Sequence, residues 1–224
     1  MNITDKITIT NEDNMELMAR YPDGYFDLAI VDPPYGSSIM QKNKKQSHKT
    51  TDTSYRNKTI PSLEYFKELE RVSKRSIIFG CQYMLQFMNP KGSFIIWDKG
   101  ADPDLHNMSS CDVAWYSERK QIKKYYAHWC GAVKCEKEPT IHIHQKPVKI
   151  YKWLLDNYAL PGDKILDTHL GSGSIAIACH DFGYELTACE IDNIYFHSAC
   201  KRIKHHIAFN QSLFQPEELT QTLF

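Results

Sequence analysis

Short, nearly continuous apolar runs alternate along this chain with stretches where apolar residues return every third or fourth position. The runs fall at residues 7–9, 26–31, 76–79, 94–97, 113–115, 164–166 and 186–189. Their lack of polar alternation and their aliphatic and β-branched character predict strands covered on both faces. Between them, Pro61-Ser62 opens a helix in which Leu63, Phe66, Leu69 and Val72 share one face. A second helix is predicted over 147–158, ended by Pro161-Gly162, and a third over 175–180. A fourth begins after Asp192, a good N-cap, with Tyr195, Ala199 and Ile203 on one face and Lys201, Arg202 and Lys204 near its end. Strands alternating with helices define the α/β class, with a doubly wound, mostly parallel sheet.

Two segments break the rhythm. Residues 36–59 are polar and basic, a loop with Lys42, Lys44, Lys45, Lys49 and Arg56. Residues 117–138 mix bases with aromatics, including Arg119, Lys120, Lys123 and Lys124, and read as a short insert on the sheet. Both follow strand ends, so both are expected to flank one cleft. At 224 residues the chain is expected to form a single domain, 1–224, carrying these two insertions.

Composition narrows the class. There are 27 basic and 27 acidic residues, so bulk charge announces no polyanionic partner. The distribution does: the first 32 residues carry five more acids than bases, and residues 41–58 five more bases than acids. Basic loops interleaved with Tyr55, Tyr125, Tyr126 and Trp129 suit a phosphate backbone and splayed bases. There is no run of eighteen apolar residues and the N-terminus is polar, so no membrane role and a cytoplasmic location are expected. Seven scattered cysteines without a CxxC pair argue for reduced thiols rather than a disulfide framework. His128, Cys130, Cys135, His142 and His144 raise a zinc site, but the missing CxxC pairing argues against it, and no metal is expected.

The stretch FDLAIVDPPYGSS, residues 26–38, drives a buried strand into a rigid corner. Pro33 and Pro34 have no N–H for a sheet ladder and fix φ, so the strand stops there. Asp32 and Tyr35 are thereby held at its carboxyl end, where open α/β sheets bind ligands. A second stretch, residues 162–192, reads strand, glycine-rich turn, small-residue helix, strand, acid. Gly171 and Gly173 let backbone approach a ligand, Ser172 lies between them, and Glu190 ends the next strand, where an acid accepts ribose hydroxyls. No lysine follows the turn, and GxGxxG is not met, so neither a nucleotide phosphate loop nor a dinucleotide site is indicated. Asp167, just before the turn, is a poor neighbour for pyrophosphate and a good one for a cation. S-adenosylmethionine has a ribose, an ammonium and a sulfonium, and no phosphate.

Together the two stretches resemble the DNA amino-methyltransferases that use S-adenosylmethionine. Asp32-Pro33-Pro34-Tyr35 is similar to their catalytic motif, and DTHLGSGS to their cofactor turn. HIHQKPVKIYKWLL, between them, resembles the family's His-Pro-Thr-Gln-Lys-Pro segment, and RSIIFGCQYMLQF followed by GSFIIWDKG resembles phage-associated members. Catalytic motif first and cofactor turn last is the permuted order of the family's β group. The chain departs from the pattern at Ile143, His144, Thr168 and Leu170.

The resemblance implies a Rossmann-like methyltransferase fold of circularly permuted motif order, with S-adenosylmethionine as cofactor. It implies catalysis by Asp32, Pro33, Pro34 and Tyr35, and cofactor binding by Asp32, His142, Lys146, Asp167, Gly171, Ser172, Gly173 and Glu190. Double-stranded DNA is the implied partner, a homodimer is allowed, and restriction-modification is the associated biology. Asp at the first motif position resembles adenine-N6 enzymes. The alternatives are a cytosine-N4 enzyme, an RNA or protein methyltransferase, and an inactive DNA-binding subunit of the same fold.

Overall fold

The structure is a computed structural model, and it describes residues 1–35, 60–102, 109–130, 133–135, 140–142 and 144–213. In chain order the elements are β1 (Ile7–Thr10), α1 (Asn14–Ala19), β2 (Leu28–Val31), α2 (Leu63–Val72), β3 (Ser76–Phe79), β4 (Ser93–Asp98), β5 (Cys111–Tyr116) and β6 (Lys123–Tyr126). There follow the short hairpin β7 (Trp129–Cys130) and β8 (Val133–Lys134), then α3 (Val148–Tyr158), β9 (Lys164–Asp167), α4 (Ser174–Phe182), β10 (Glu185–Cys189) and α5 (Asn193–Leu213). Eight strands form one sheet in the order β1-β10-β9-β2-β3-β5-β4-β6. The first five run parallel. β5 is antiparallel to both of its neighbours, and β6 lies parallel to β4.

All seven apolar runs are strands, and burial explains why they read as runs rather than alternations. Leu28 and Ile30 face one core, while Ala29 and Val31 face a second on the other side of the sheet. The first core holds Ile150 and Leu154 of α3, Ile177 of α4 and Ile203 of α5. The second holds Leu17 and Met18 of α1 and Phe66, Leu69 and Val72 of α2. Helices therefore cover both faces, as the doubly wound reading predicts.

Several boundaries follow from local chemistry. Asp192 caps α5 through Oδ1, which accepts from the amides of Ile194 at 2.9 Å and Tyr195 at 3.1 Å. The helix then continues to Leu213, well past the lysines expected to close it. α1, only six residues long, is capped by Asp13, whose Oδ1 accepts from the Met15 amide at 2.8 Å. Within residues 117–138, β6 extends the main sheet at its far edge, beside β4. No helix among the described residues is long and apolar enough to cross a membrane.

Candidate active site

Strand order places the site. β2 and β9 are adjacent and parallel, with Leu28 opposite Ile165 and Ala29 opposite Leu166. β2 is connected through α2 towards β3, and β9 through α4 towards β10, which lie on opposite sides of the pair. The crevice at this switch point lies outside the carboxyl ends of the strands. There the corner that follows β2 meets the glycine turn that follows β9.

Asp32 is met at this corner by Lys146, which arrives from the turn before α3. The Lys146 ammonium is ion-paired with Asp32 Oδ2, its side chain only 5% exposed, and it lies 4.6 Å above the Phe79 ring centroid. Burial alone would lower the Lys146 pKa, but the Asp32 carboxylate outweighs it and holds the lysine charged. Asp32 Oδ1 is buried and has no hydrogen-bond partner among the described residues. One oxygen is thus fixed and the other left to accept.

The turn carrying Lys146 is locked from several sides. Gln145 Oε1 accepts from the Ile141 amide at 3.0 Å, the Gln145 amide donates to the His142 carbonyl at 3.1 Å, and Trp129 Nε1 donates to the Gln145 carbonyl at 2.9 Å. Ser174 Oγ donates to the Lys146 carbonyl at 2.7 Å, tying this turn to the first residue of α4. Pro147 then starts α3 from its N-cap position.

The glycine turn is built as the sequence reading requires. Gly171 has φ +54° and Gly173 φ +76°, a region that side-chain-bearing residues rarely adopt. A Cβ on Gly173 would come within 2.8 Å of Ile203 Cδ1, so glycine also allows α5 to pack close. Glu190 is oriented by two backbone donors: the Gly171 amide to Oε2 and the Asp192 amide to Oε1, both at 2.9 Å. Each carboxylate oxygen retains a lone pair, enough for a vicinal diol. The His142 ring packs against Tyr195 at 4.5 Å between centroids, and its Nε2 lies 3.6 Å from where a Gly171 Cβ would be. Ser172 is turned inward, its hydroxyl 3.1 Å from that of Ser174.

Asp167 ends β9 almost completely buried, and its Oδ1 accepts from the His169 amide at 2.9 Å. Burial pushes its carboxyl up to about 8, with the nearby Asp32 and Glu190 charges adding to the rise against the His169 hydrogen bond and Lys146. Thr168, next in the turn, is anchored by hydrogen bonding: its hydroxyl lies 2.7 Å from Tyr65 OH on α2.

Tyr35 completes the corner. Lys146 pulls its phenol pKa down, but burial and the carboxylates of Asp32 and Asp112 prevail and push it up to about 12, so the ring stays neutral. It stacks on Tyr83 at 5.2 Å with an interplanar angle of 11°. Tyr83 and Gly80 escaped the functional reading of the sequence. The signal lay in FGCQY, directly after an apolar run.

Among the described basic candidates, Arg119, Lys120 and Lys123 are not at this crevice. Lys42, Lys44, Lys45, Lys49 and Arg56 lie outside the described residues. Because β5 runs antiparallel, its end and the exposed Arg119 emerge at the amino ends of the parallel strands, opposite Asp32. There Lys120 Nζ donates to the Asn157 carbonyl at 2.8 Å and Lys123 Nζ to Asn157 Oδ1 at 2.7 Å. Lys124 pairs with Asp98 at 3.2 Å. Arg119, Lys120 and Lys123 thus lie at the end of the sheet opposite the Asp32 corner. Among the described residues no group of three or more His, Cys, Asp or Glu is placed to hold a metal.

The profile of a DNA methylase family, N6_N4_Mtase, matches residues 96–201, from β4 into α5. Among solved structures, the fold is similar to M1.HpyAVI in complex with SAM, at 20% identity and a TM-score of 0.59, covering 88% of this chain and 98% of that one. It is similar to the cytosine-N4-specific PvuII DNA methyltransferase, at 10% identity and a TM-score of 0.60, covering 92% of each chain. A third likeness is to the Thermus thermophilus protein TTHA0409 complexed with S-adenosyl-L-methionine, at 13% identity and a TM-score of 0.56, covering 89% of this chain and 94% of that one. No curated protein matches the sequence. The fold is therefore the Rossmann-like one of S-adenosylmethionine-dependent methyltransferases.

Proposed function

We propose that this protein is a DNA methyltransferase that uses S-adenosylmethionine and modifies the N6 amine of adenine. One observation carries the reading: Asp32 stands on a Pro-Pro corner with Oδ2 fixed by a buried lysine and Oδ1 without a hydrogen-bond partner among the described residues, beside a glycine turn backed by two acids. The site fits the cofactor without a phosphate-binding lysine. Glu190 would hold the ribose hydroxyls, Gly171 and Gly173 would admit the nucleoside against backbone, and Asp167 would face the cationic amino-acid end. When bound, S-adenosylmethionine supplies an electrophilic methyl group on a sulfonium.

The chain's own residues deal with the nucleophile. An exocyclic amine is a poor nucleophile because its lone pair is delocalised into the ring. Asp32 Oδ1 and the Pro33 carbonyl accept its two N–H bonds and favour a tetrahedral nitrogen with an available lone pair. Pro33 and Pro34 hold both acceptors in place before the base arrives, so no reorganisation opposes the reaction. Lys146 keeps Asp32 from rotating, which aims Oδ1 rather than Oδ2 at the amine. Once the nitrogen is methylated and cationic, its surplus proton leaves by way of Oδ1. Tyr35, neutral and flat, is the surface on which a base turned out of the duplex stacks, against a flipping cost of about a few kcal/mol.

Adenine is favoured by Asp at the first position of the corner, and the 36–59 loop is the expected DNA contact. Tritiated-methyl transfer onto unmethylated genomic DNA, with RNA and protein controls and nucleoside analysis of the product, tests the proposal. N6-methyladenine that disappears with Asp32→Ala is the expected result. N4-methylcytosine would move the substrate and keep the mechanism, and transfer to RNA or protein alone would overturn DNA as substrate.

A further inference from the structure

Tyr35 cannot define a base site alone, because a phenol ring on a corner is free to turn about its side-chain torsions unless something holds it. Two features of the segment after β3 hold it. Gly80 has φ +69°, and a Cβ built there would lie 2.3 Å from Tyr35 Cδ1 and 2.6 Å from Cε1. The Tyr35 ring thus occupies the space that any larger residue at position 80 would need. Tyr83, three residues on, lies nearly parallel to the same ring at 5.2 Å, an offset stack.

Both features come from one short device. Gly80 takes the left-handed conformation at the N-cap of a single 3-10 turn, Cys81–Tyr83. Its amide donates to the Val113 carbonyl of β5 at 3.0 Å, and the Tyr83 amide donates back to the Gly80 carbonyl at 3.1 Å. Below them Cys81 and Met84 are fully buried, so the turn rests on the core while Tyr83 stands 42% exposed. An exposed aromatic ring laid flat on a half-buried one covers little core, but it fixes the plane of the half-buried ring.

We propose that Tyr83 and Gly80 are positioning residues of the target-base site: together they hold the Tyr35 ring as a fixed wall, with Tyr83 on one face and the methylated base on the other. The inference rests on the methyltransferase reading above and adds a three-layer stack to it. The ligand class is a planar nucleobase, since only a flat ring completes such a stack. A tyrosine serving as a plug, vacating the place of the base, would have the opposite mutational signature.

The test compares Tyr83→Ala and Tyr83→Phe with the wild type, using the full chain. Three readouts are taken: cofactor affinity by calorimetry, kcat and KM for DNA, and fluorescence of a duplex with 2-aminopurine in place of the methylated base. Tyr83→Ala is expected to leave cofactor affinity within twofold. It should lower kcat/KM on DNA roughly tenfold, the scale of one aromatic stack, and abolish the fluorescence rise on binding. Tyr83→Phe should restore both, because the ring and not the hydroxyl is at work. Gly80→Ala should behave like Tyr83→Ala. Three results overturn the proposal: Tyr83→Ala indistinguishable from wild type, Tyr83→Ala binding and flipping better than wild type, or a loss of cofactor affinity equal to the loss of activity. A wild-type protein that transfers no methyl to DNA would overturn the methyltransferase reading itself, and the three-layer stack with it.

Discussion

Asp167→Asn separates stability from function, because the carboxyl it removes is costly to the folded protein on its own. Asp167 is 2% exposed, and its folded pKa of about 8 stands far above the ordinary 3.8. A raised folded pKa means that stability is fully present below the unfolded pKa and is withdrawn as pH rises through the folded one. The loss therefore begins near pH 4 and levels off above about pH 8. At 1.36 kcal/mol per unit, the withdrawn stability is roughly 4 kcal/mol at pH 7 and about 6 kcal/mol at pH 9.

Asparagine keeps an oxygen for the His169 amide and carries no charge, so this penalty disappears. For a chain of this size that corresponds to a melting temperature about 10–20 °C above wild type at pH 8.5, with the gap closing towards pH 5. The assay is a melting series from pH 5 to 9 on both ligand-free proteins, with calorimetric titration of S-adenosylmethionine alongside. The variant should bind the cofactor far more weakly while melting higher. Parallel melting curves, with no dependence of the gap on pH, would refute the reasoning.

Other expectations follow from the same site. Wild-type cofactor affinity should rise with pH towards 8 and then flatten, with proton release at pH 7 seen as a buffer-dependent calorimetric heat, because the carboxylate form faces the cation. Asp32→Ala should abolish transfer and also destabilise the protein by about 3–5 kcal/mol, since it leaves the buried Lys146 ammonium unpaired; adding Lys146→Met should recover the melting temperature but not the activity. Gly173→Ala should cost about 1–3 kcal/mol through its φ of +76° and the approach to Ile203, read as a lower urea midpoint at unchanged slope. An unchanged midpoint would mean that α5 yields at no cost. Lys120→Ala with Lys123→Ala should leave the salt slope of DNA binding untouched, whereas neutralising any one phosphate-binding lysine of the 36–59 loop should reduce it by about 0.9.

Most of the sheet was legible because β2, β3 and β9 are buried on both faces, and an uninterrupted apolar run is the direct imprint of that environment. The corner and the glycine turn were legible because proline and glycine constrain backbone whatever surrounds them. Other features were not. β6, KKYY, is an edge strand in which Lys124 and Tyr126 are exposed and only Tyr125 packs against the core, so its residues carry little core signal. α1 is held mainly by one cap and by tertiary packing of Leu17 and Met18. The direction of β5 is a property of its pairing with β3 and β4, and no residue within it encodes that direction. That direction alone sends Arg119 and Lys120 to the far end of the sheet. Lys146 was expected at the cofactor, but its partner, Asp32, lies 114 positions away, beyond the reach of local pattern.

The adjacency of β2 and β9 also shapes how the chain is made. Asp27 and Lys164, bonded across that pair, are 137 positions apart. At a synthesis rate of about 5–20 residues per second, β2 waits roughly 7–27 s before its second neighbour leaves the ribosome. During that interval its free edge is a row of unpaired amides and carbonyls flanked by aliphatic side chains, a template for pairing with another nascent chain. A longer wait falls on β1, whose Ile7 pairs with Leu186 of β10 across 179 positions, about 9–36 s at the same rate. The arrangement that joins the catalytic corner to the cofactor turn is thus also the one that makes the young chain dependent on dilution or chaperones, and expression yield should respond to slowed synthesis before it responds to the stability of the finished fold.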